Sequence, residues 1–281
     1  QVMADKNSEI EIYIPQSLKG IVDMIAQHKS NTPCHFLALP NSKVELLFLL
    51  EGSQLERFYI DKNKSQFLPN DSSQFVIALS SQTRPIEARY KSLNAINVSM
   101  NPVAAMAILE IPASEIKDLH FEPTTLGNLN QLQDTLNNLP TFQHRAQYLE
   151  KFLLARLKAS RYSKQTLDKI TTVKTLHSGS IPSLIETELN FDRLHYSSSH
   201  MRKLCNEWLG VTHNEYRLHK KFRKAMYTLN YENHSLTEIA HNLDFYDSAH
   251  FTRTFKRFAG MTPKAYQNSQ KGLIPEFIIL E

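Results

Sequence analysis

The sequence predicts an α+β protein, with an antiparallel β-barrel and added helices in its N-terminal part and an all-α C-terminal part. Three observations predict it. Short apolar segments separated by Pro, Asn, Gly and Ser dominate the first 100 residues. Helical patterns dominate residues 141–267. Within the helical region, segments 196–216 and 246–266 repeat one residue frame 50 positions apart.

The N-terminal segments have the length and spacing of short strands. Four of them read HFLALP, KVELLFLL, FVIALSS and IEARYKSLNAINVSM, and turn residues separate them. The segments PVAAMAILE and TFQHRAQYLEKFLLARLK are predicted helices. We therefore divide the chain into a barrel domain (1–140), an inter-domain helix and linker (141–162), a helical domain (163–270) and an apolar tail (271–281). The tail either docks on its own domain or covers a partner surface.

Composition excludes several classes of protein. The apolar runs fall well short of the roughly 20 residues that span a bilayer, so no membrane partner is expected. The N-terminus lacks the basic-then-apolar order of a signal peptide, which favours a cytoplasmic location. Cys34 and Cys205 are the two cysteines, too few for a disulfide framework, so reduced thiols are expected.

Positive charge is concentrated in the C-terminal part. Residues 1–159 hold 15 Lys and Arg against 16 Asp and Glu, whereas residues 160–271 hold 17 against 10. The net charges are therefore −1 and +7. Clustered basic charge is typical of a protein that binds a polyanion, although a basic face is often only a solvated surface.

The repeated frame is Tyr-x-Ser-x-His followed by Gly-x-Thr-x-x-x-Tyr, and each copy predicts an amphipathic helix. The apolar positions of the two copies are Met201, Leu204, Cys205, Trp208 and Leu209, then Phe251, Phe255, Phe258 and Ala259. Their spacing buries one helical stripe. Gly210 and Gly260 follow these stripes, where a left-handed residue commonly ends a helix.

The opposite faces of the two helices carry polar and basic residues at equivalent positions. They are Ser199, Arg202, Lys203 and Asn206 in the first copy, and Ala249, Thr252, Arg253 and Lys256 in the second. A short helix, with a capping box of Ser235 and Glu238, precedes the second copy. Helix, tight turn and helix is the arrangement that places the second helix in the major groove of DNA. The alternative is an ordinary helical domain with polar surface residues.

Segment 214–232 between the copies predicts one continuous helix, roughly 25 Å or more in length. Tyr216, Phe222, Ala225, Met226 and Leu229 are its packing positions. Recognition helices in successive major-groove turns lie about 34 Å apart, which suits a rigid connector of this size. Its basic residues Arg217, Lys220, Lys221, Arg223 and Lys224 either touch phosphate or solubilise the helix.

Residues 164–267 resemble the DNA-binding domain of AraC/XylS-family transcription regulators. The second copy carries the likeness through its Ile-Ala pair, Phe245, Phe251, Arg253 to Phe255, Gly260, Pro263 and Tyr266. The resemblance implies seven helices with two helix-turn-helix units. It also implies base-facing roles for Ser199, Arg202 and Lys203, and for Ser248, Ala249, Thr252 and Arg253, with Lys256 on the same face.

Two departures from the family pattern bear on these units. Asp244 stands at the turn position where the family has glycine, and a left-handed conformation costs Asp more than Gly. The first unit, IETELNFDRLHYSSS, lacks both the Ile-Ala pair and a turn glycine.

Residues 10–158 are similar to the cupin-like sensor domains that precede some AraC-type regulators, which implies ligand sensing or dimerisation. A metal-dependent cupin needs an HxH pair with a further Glu and His, and the sequence has no such set, so neither catalysis, nor a metal, nor a cofactor is expected. Glu45, Phe48, Arg84 and Arg89 lie on or beside predicted strands. Core or surface positions suit them better than ligand contacts, so ligand residues stay unassigned.

Together these features predict a sequence-specific, DNA-binding transcription regulator of the bacterial cytoplasm and nucleoid. The implied partners are double-stranded promoter DNA, RNA polymerase, a small-molecule effector and a second copy in a homodimer, with activation the usual outcome in the family. The alternative is a protein-interaction or ligand-sequestering module with weak or non-specific DNA binding.

Overall fold

The computed structural model describes residues 8–41, 43–61, 64–66, 76–79, 84–111, 113, 120–121, 129–160, 171–178, 181–189, 197–232, 234–269 and 277–280. The strands are β1 (Ser8–Tyr13), β2 (Val22–Ser30), β3 (Cys34–Ala38), β4 (Val44–Leu49), β5 (Gln54–Asp61), β6 (Lys64–Gln66), β7 (Val76–Leu79), β8 (Ile86–Met100), β9 (His120–Phe121), β10 (Thr171–Ser178), β11 (Ile181–Leu189) and β12 (Phe277–Leu280). The helices are α1 (Pro102–Leu109), α2 (Leu129–Asn138), α3 (Phe142–Ala159), α4 (Ser198–Leu209), α5 (His213–Tyr231), α6 (Leu236–Asn242), α7 (Ser248–Ala259) and α8 (Pro263–Asn268).

An antiparallel sheet organised around β8 forms the N-terminal part. The path β1-β2-β8-β4-β7-β9 passes through the C-terminal half of β8. The N-terminal half of β8 pairs with β3 and β5. This arrangement confirms the predicted α+β class and antiparallel N-terminal sheet.

The first core lies between one face of this sheet and the helices that follow it. Alternation on β8 places Ile96, Val98 and Met100 on the buried face, as expected for a strand with one face in a core. All eight residues of α1 are buried, and residues 103–109 belong to the same core cluster as these strand residues. Asn101 caps α1 by accepting a 2.7 Å hydrogen bond from the amide of Ala104.

Helix α3 packs on the same core along its buried stripe, which is Phe142, Ala146, Leu149, Leu153 and Leu157. Its buried Glu150 accepts hydrogen bonds from the Tyr13 hydroxyl and, at 2.7 Å, from the amide of Ser17. The bond to Glu150 raises the pKa of Tyr13 to about 12. These contacts fasten the predicted inter-domain helix to β1.

The C-terminal part is helical from α4 onwards, as predicted, but strands β10 and β11 lie upstream of these helices, where the all-α prediction had helix. Strands β10 and β11 form an antiparallel hairpin, with Thr171 opposite Leu189 and Thr175 opposite Ile185. Five helices, α4 to α8, are described in residues 163–270. The stretch is rich in Thr, Val and Ile, whose branched side chains favour strands. The predicted first helix of the first unit began in this stretch, and its residues 190–196 lie outside the described ranges.

A second core joins α5 to α8. Phe222, Phe251, Phe255, Phe258 and Tyr266 are each buried in it. Phe222 stacks on Phe258 with ring centroids 5.1 Å apart and meets Phe255 edge-on at 5.0 Å. Leu39 and Ile278 from outside the helical region belong to the same cluster.

Candidate nucleic-acid interface

Helices α4 and α7 are structural repeats at an offset of 50 residues. Ser197 and Asp247 are their N-caps, each accepting a hydrogen bond from the amide three residues later. Gly210 and Gly260 end them with φ values of 67° and 72°, the left-handed conformation that glycine adopts without steric cost. The duplicated frame predicted from sequence therefore corresponds to two matching helices.

The second helix, α7, presents the predicted base-facing residues opposite its buried stripe. Ser248, Ala249, Arg253 and Lys256 are exposed, and Thr252 is half-buried. Phe251, Phe255, Phe258 and Ala259 are buried on the other side. A cationic, hydroxyl-bearing face on the N-terminal half of a helix can contact base edges and phosphates in a major groove.

The first helix, α4, shows the same division. Ser199, Arg202 and Lys203 are exposed, whereas Leu204, Cys205, Trp208 and Leu209 are buried. Burial raises the pKa of the Cys205 thiol, which keeps this side chain in its neutral form. The structure brings the three polar residues together on one face of α4.

The turn between α6 and α7 is built around Asp244, which has a φ of 51°. The Lys221 ammonium donates a 2.7 Å hydrogen bond to the Asp244 carbonyl and lies 5.2 Å from the centre of the Phe245 ring. Phe245 is buried against Phe251 at 5.3 Å. The structure thus holds a non-glycine residue in the left-handed conformation, as the departure from the family pattern predicted.

The capping box predicted at Ser235 is present. The Ser235 hydroxyl accepts from the Glu238 amide, and the Glu238 carboxylate accepts from the Ser235 amide at 2.7 Å. The hydrogen bond that the Ser235 amide donates to this carboxylate lowers the pKa of Glu238. Helix α6, the turn and α7 therefore form a complete helix-turn-helix unit.

Helix α5 is the rigid connector between the repeats. Its 19 residues span roughly 28 Å, and the five predicted packing positions are all buried. The basic residues differ in their surroundings, because Arg217 and Lys224 are exposed while Lys220, Lys221 and Arg223 are half-buried. The exposed pair is therefore better placed for phosphate contacts.

His219 on α5 is a buried residue that the sequence analysis did not single out. Its ring lies 5.9 Å from Phe222 and 5.1 Å from Phe258. Burial and the nearby charge of Arg257 lower its pKa to about 3, against a hydrogen bond to the Pro40 carbonyl that raises it. His219 thus connects the helical region to the loop between β3 and β4.

Tyr246 was also missed, although its position between the turn residue and the N-cap could have identified it. Its side chain is 93% exposed, immediately before the cap of α7. An aromatic ring at this place is available to a partner that approaches α7.

The sheet carries a polar cluster centred on Glu45. Its carboxylate accepts hydrogen bonds from Asn97 (2.8 Å), Asn41 (2.9 Å) and Ser99 (2.9 Å). Burial raises the pKa of Glu45, and these hydrogen bonds and Lys43 oppose that shift. Asn97 Oδ1 and His28 Nε2 have no hydrogen-bond partner among the described residues.

The other positions considered for ligand contact lie elsewhere. Phe48 is fully buried in the first core. Arg84 and Arg89 are exposed, and Arg89 pairs with Glu56 at 3.2 Å. Sequence alternation alone did not distinguish Glu45 from these residues, because the hydrogen-bond partners of Glu45 include two residues of β8.

The described residues contain no group of three or more His, Cys, Asp and Glu side chains placed to hold a metal ion. Within the same ranges, every helix is too short or too polar to cross a lipid bilayer.

Comparison with known proteins agrees with this arrangement. Residues 191–269 match the model of a helix-turn-helix domain family. An uncharacterized HTH-type transcriptional regulator of Staphylococcus aureus (strain COL) is 26% identical over 185 residues, which are 57% of this chain and 24% of that protein. The Msm operon regulatory protein of Streptococcus mutans is 24% identical over 149 residues, which are 53% of this chain and 52% of that protein. The chain thus spans between about a quarter and a half of the length of these relatives.

Among solved structures, ToxT from Vibrio cholerae is similar at 14% identity over 93% of this chain and 98% of that one, with a TM-score of 0.40. The family match coincides with the capped helices α4 to α8, and the relatives carry the same domain type. Residues 191–269 therefore form a helix-turn-helix domain that resembles those of AraC-type regulators.

Proposed function

We propose that this protein is a transcription regulator that binds a specific promoter site through α4 and α7, and that its N-terminal domain controls the binding. One observation carries the proposal. Two helices with matching caps present polar and basic residues on exposed faces, and one rigid helix joins them. A side chain such as Arg253 can donate two hydrogen bonds to guanine in the major groove.

The assigned DNA contacts are Ser199, Arg202, Lys203, Ser248, Ala249, Thr252, Arg253 and Lys256. The α7 set follows a complete helix-turn-helix unit, whereas the α4 set has a β-hairpin upstream of it. We therefore expect α7 to contribute more to sequence discrimination than α4.

Selection from random oligonucleotides, followed by titration on the recovered site, tests this proposal. Arg253→Ala should weaken binding by about 1–3 kcal/mol and relax the preference at one base position. Lys151→Ala removes a charge from an exposed position on α3 and is the matched control, expected to leave binding unchanged. Failure of the wild-type protein to prefer any sequence would exclude the proposed function.

The upstream hairpin favours one alternative, a protein-interaction or ligand-sequestering module with weak DNA binding. The random-oligonucleotide selection separates specific from non-specific DNA binding, and salt dependence separates DNA binding of either kind from a module that makes no phosphate contacts. Each neutralised phosphate adds about 0.9 to the slope of log affinity against log salt on duplex DNA. A slope near zero would support the alternative.

For the whole protein we propose activation through contact with RNA polymerase, in the cytoplasm and nucleoid. The N-terminal domain would act by sensing a small molecule or by forming a homodimer. The cluster around Glu45 supports the sensing role, because Asn97 in this cluster carries a buried polar atom, Oδ1, without a described partner. A thermal-shift screen of small polar compounds against wild-type and Glu45→Ala protein tests that role.

A further inference from the structure

The strand β12 comes from the segment predicted as an apolar tail, and it joins the N-terminal sheet. It pairs antiparallel with β3, from Phe277 opposite Ala38 to Leu280 opposite His35. Four consecutive residues in register give a continuous backbone ladder. The tail therefore docks on the N-terminal sheet of its own chain.

The same strand also contacts the second helix-turn-helix unit. Ile278 is 1% exposed and lies in the second core with helices α5 to α8. Leu39, next to β3, is buried in that core as well, and Leu280 packs against it. One short strand thus combines hydrogen bonds to the sheet with apolar burial against the unit that contains α7.

Two further contacts lie beside this strand. His219 on α5 hydrogen-bonds to the carbonyl of Pro40. At the end of α7, a Cβ placed on Gly260 would lie 3.5 Å from the Pro85 side chain. The second unit therefore contacts the N-terminal domain at two places, the segment that follows β3 and the residue that precedes β8.

This docking uses the back and the C-terminal end of α7, since Ser248, Ala249 and Arg253 stay exposed. The first unit is held separately, because Leu204, Trp208 and Leu209 on α4 belong to the first core with α1. The N-terminal domain consequently contacts both units without covering the α7 face.

We infer that β12 is an intramolecular clasp that fastens the second helix-turn-helix unit to the N-terminal sheet and thereby sets its orientation relative to the first unit. We call this effect on DNA binding the brace: the clasp fixes the orientation in which the second unit meets DNA. Its effect on DNA rests on the proposed function, whereas the clasp itself does not.

Hydrogen exchange of the 281-residue chain tests the clasp without DNA. The variants are Ile278→Asp and a chain ended after Ser269, and Ile278→Val is the control that keeps an apolar side chain. Both disruptive variants should exchange the amides of β3, Leu39 and Asn41 about tenfold faster or more. The central amides of β2 and β8 should keep their protection, and Ile278→Val should match wild type.

Unchanged exchange in β3 after removal of β12 would overturn the clasp. If Ile278→Asp loses protection throughout the sheet, the result from the shortened chain is decisive. Faster exchange confined to β3, Leu39 and Asn41 supports the clasp, and unchanged exchange there overturns it.

Binding to a site with altered spacing tests the brace. Insertion of about five base pairs, half a helical turn, between the two half-sites should weaken wild-type binding. The shortened chain should lose several-fold less affinity on this insertion, because α5 alone, without the contact to the N-terminal sheet, then holds its second unit relative to the first. Equal losses in both proteins, or tighter binding of the shortened chain to the unaltered site, would overturn the brace. If the wild-type protein selects no site, the regulator function fails while the exchange result still decides the clasp.

Discussion

Replacement of His219 by Gln should reduce the acid sensitivity of folding. Burial among Phe222 and Phe258, with Arg257 nearby, lowers the pKa of His219 to about 3 from an ordinary value of 6.5. The folded state therefore binds fewer protons than the unfolded state between these two values. In that window the stability contributed by neutral His219 is present at high pH and is lost as the pH falls.

The magnitude follows from the two pKa values. Each pKa unit corresponds to about 1.4 kcal/mol. Between pH 7 and pH 5, protonation of His219 in the unfolded chain should lower the free energy of unfolding by about 2 kcal/mol. His28, whose pKa burial lowers to about 4, acts in the same direction, so the difference between wild type and variant isolates His219.

Urea unfolding followed by far-UV circular dichroism at pH 7 and pH 5 measures this difference. Gln cannot titrate, yet it can still donate a hydrogen bond to Pro40. Wild type should lose about 2 kcal/mol more than His219→Gln over this interval. His200→Gln, at an exposed position on α4, is the control and should behave as wild type. Equal losses in wild type and His219→Gln would show that His219 is not held neutral by burial.

Three substitutions test backbone conformation and capping by urea unfolding at pH 7. Asp244→Gly should stabilise the protein by up to about 1 kcal/mol, since it relieves a left-handed φ at a non-glycine residue; a destabilised variant would mean that Asp244 carries no such strain. Gly260→Ala should cost about 1 kcal/mol or more for the converse reason, and an unchanged stability would contradict it. Asn101→Ala removes a buried N-cap and should cost about 1–2 kcal/mol, against less than about 0.5 kcal/mol for the exposed Asn138→Ala. Equal costs for the last two would refute the capping role of Asn101.

The elements that sequence reasoning predicted well depend on local chemistry. Gly210 and Gly260 end their helices as predicted, because a left-handed residue is a requirement of a single backbone position. The Ser235 capping box and the continuous connector α5 are confirmed for the same reason. The repeated frame predicted the candidate interface, because the helical period places the apolar residues of each copy on one face and the polar and basic residues on the opposite face.

The β10–β11 hairpin was not predicted, because the family resemblance implied helices in a stretch whose Thr, Val and Ile residues favour strands. His219, the Glu45 cluster and β12 depend on partners far along the chain. Glu45 bonds to Asn97 and Ser99, more than 50 residues away, and β12 pairs with a strand near the other end of the sequence.

Where each helix begins and ends, which stripe it buries and which face carries cationic side chains were all encoded locally, in spacing and residue type. The position of the second unit against the N-terminal sheet was decided by tertiary packing alone. Leu39 and Ile278 lie in one buried cluster, but nothing in the sequence around either residue indicates that the other is its neighbour. An apolar residue is buried wherever the folded chain brings another apolar surface to it, because the hydrophobic effect is non-directional.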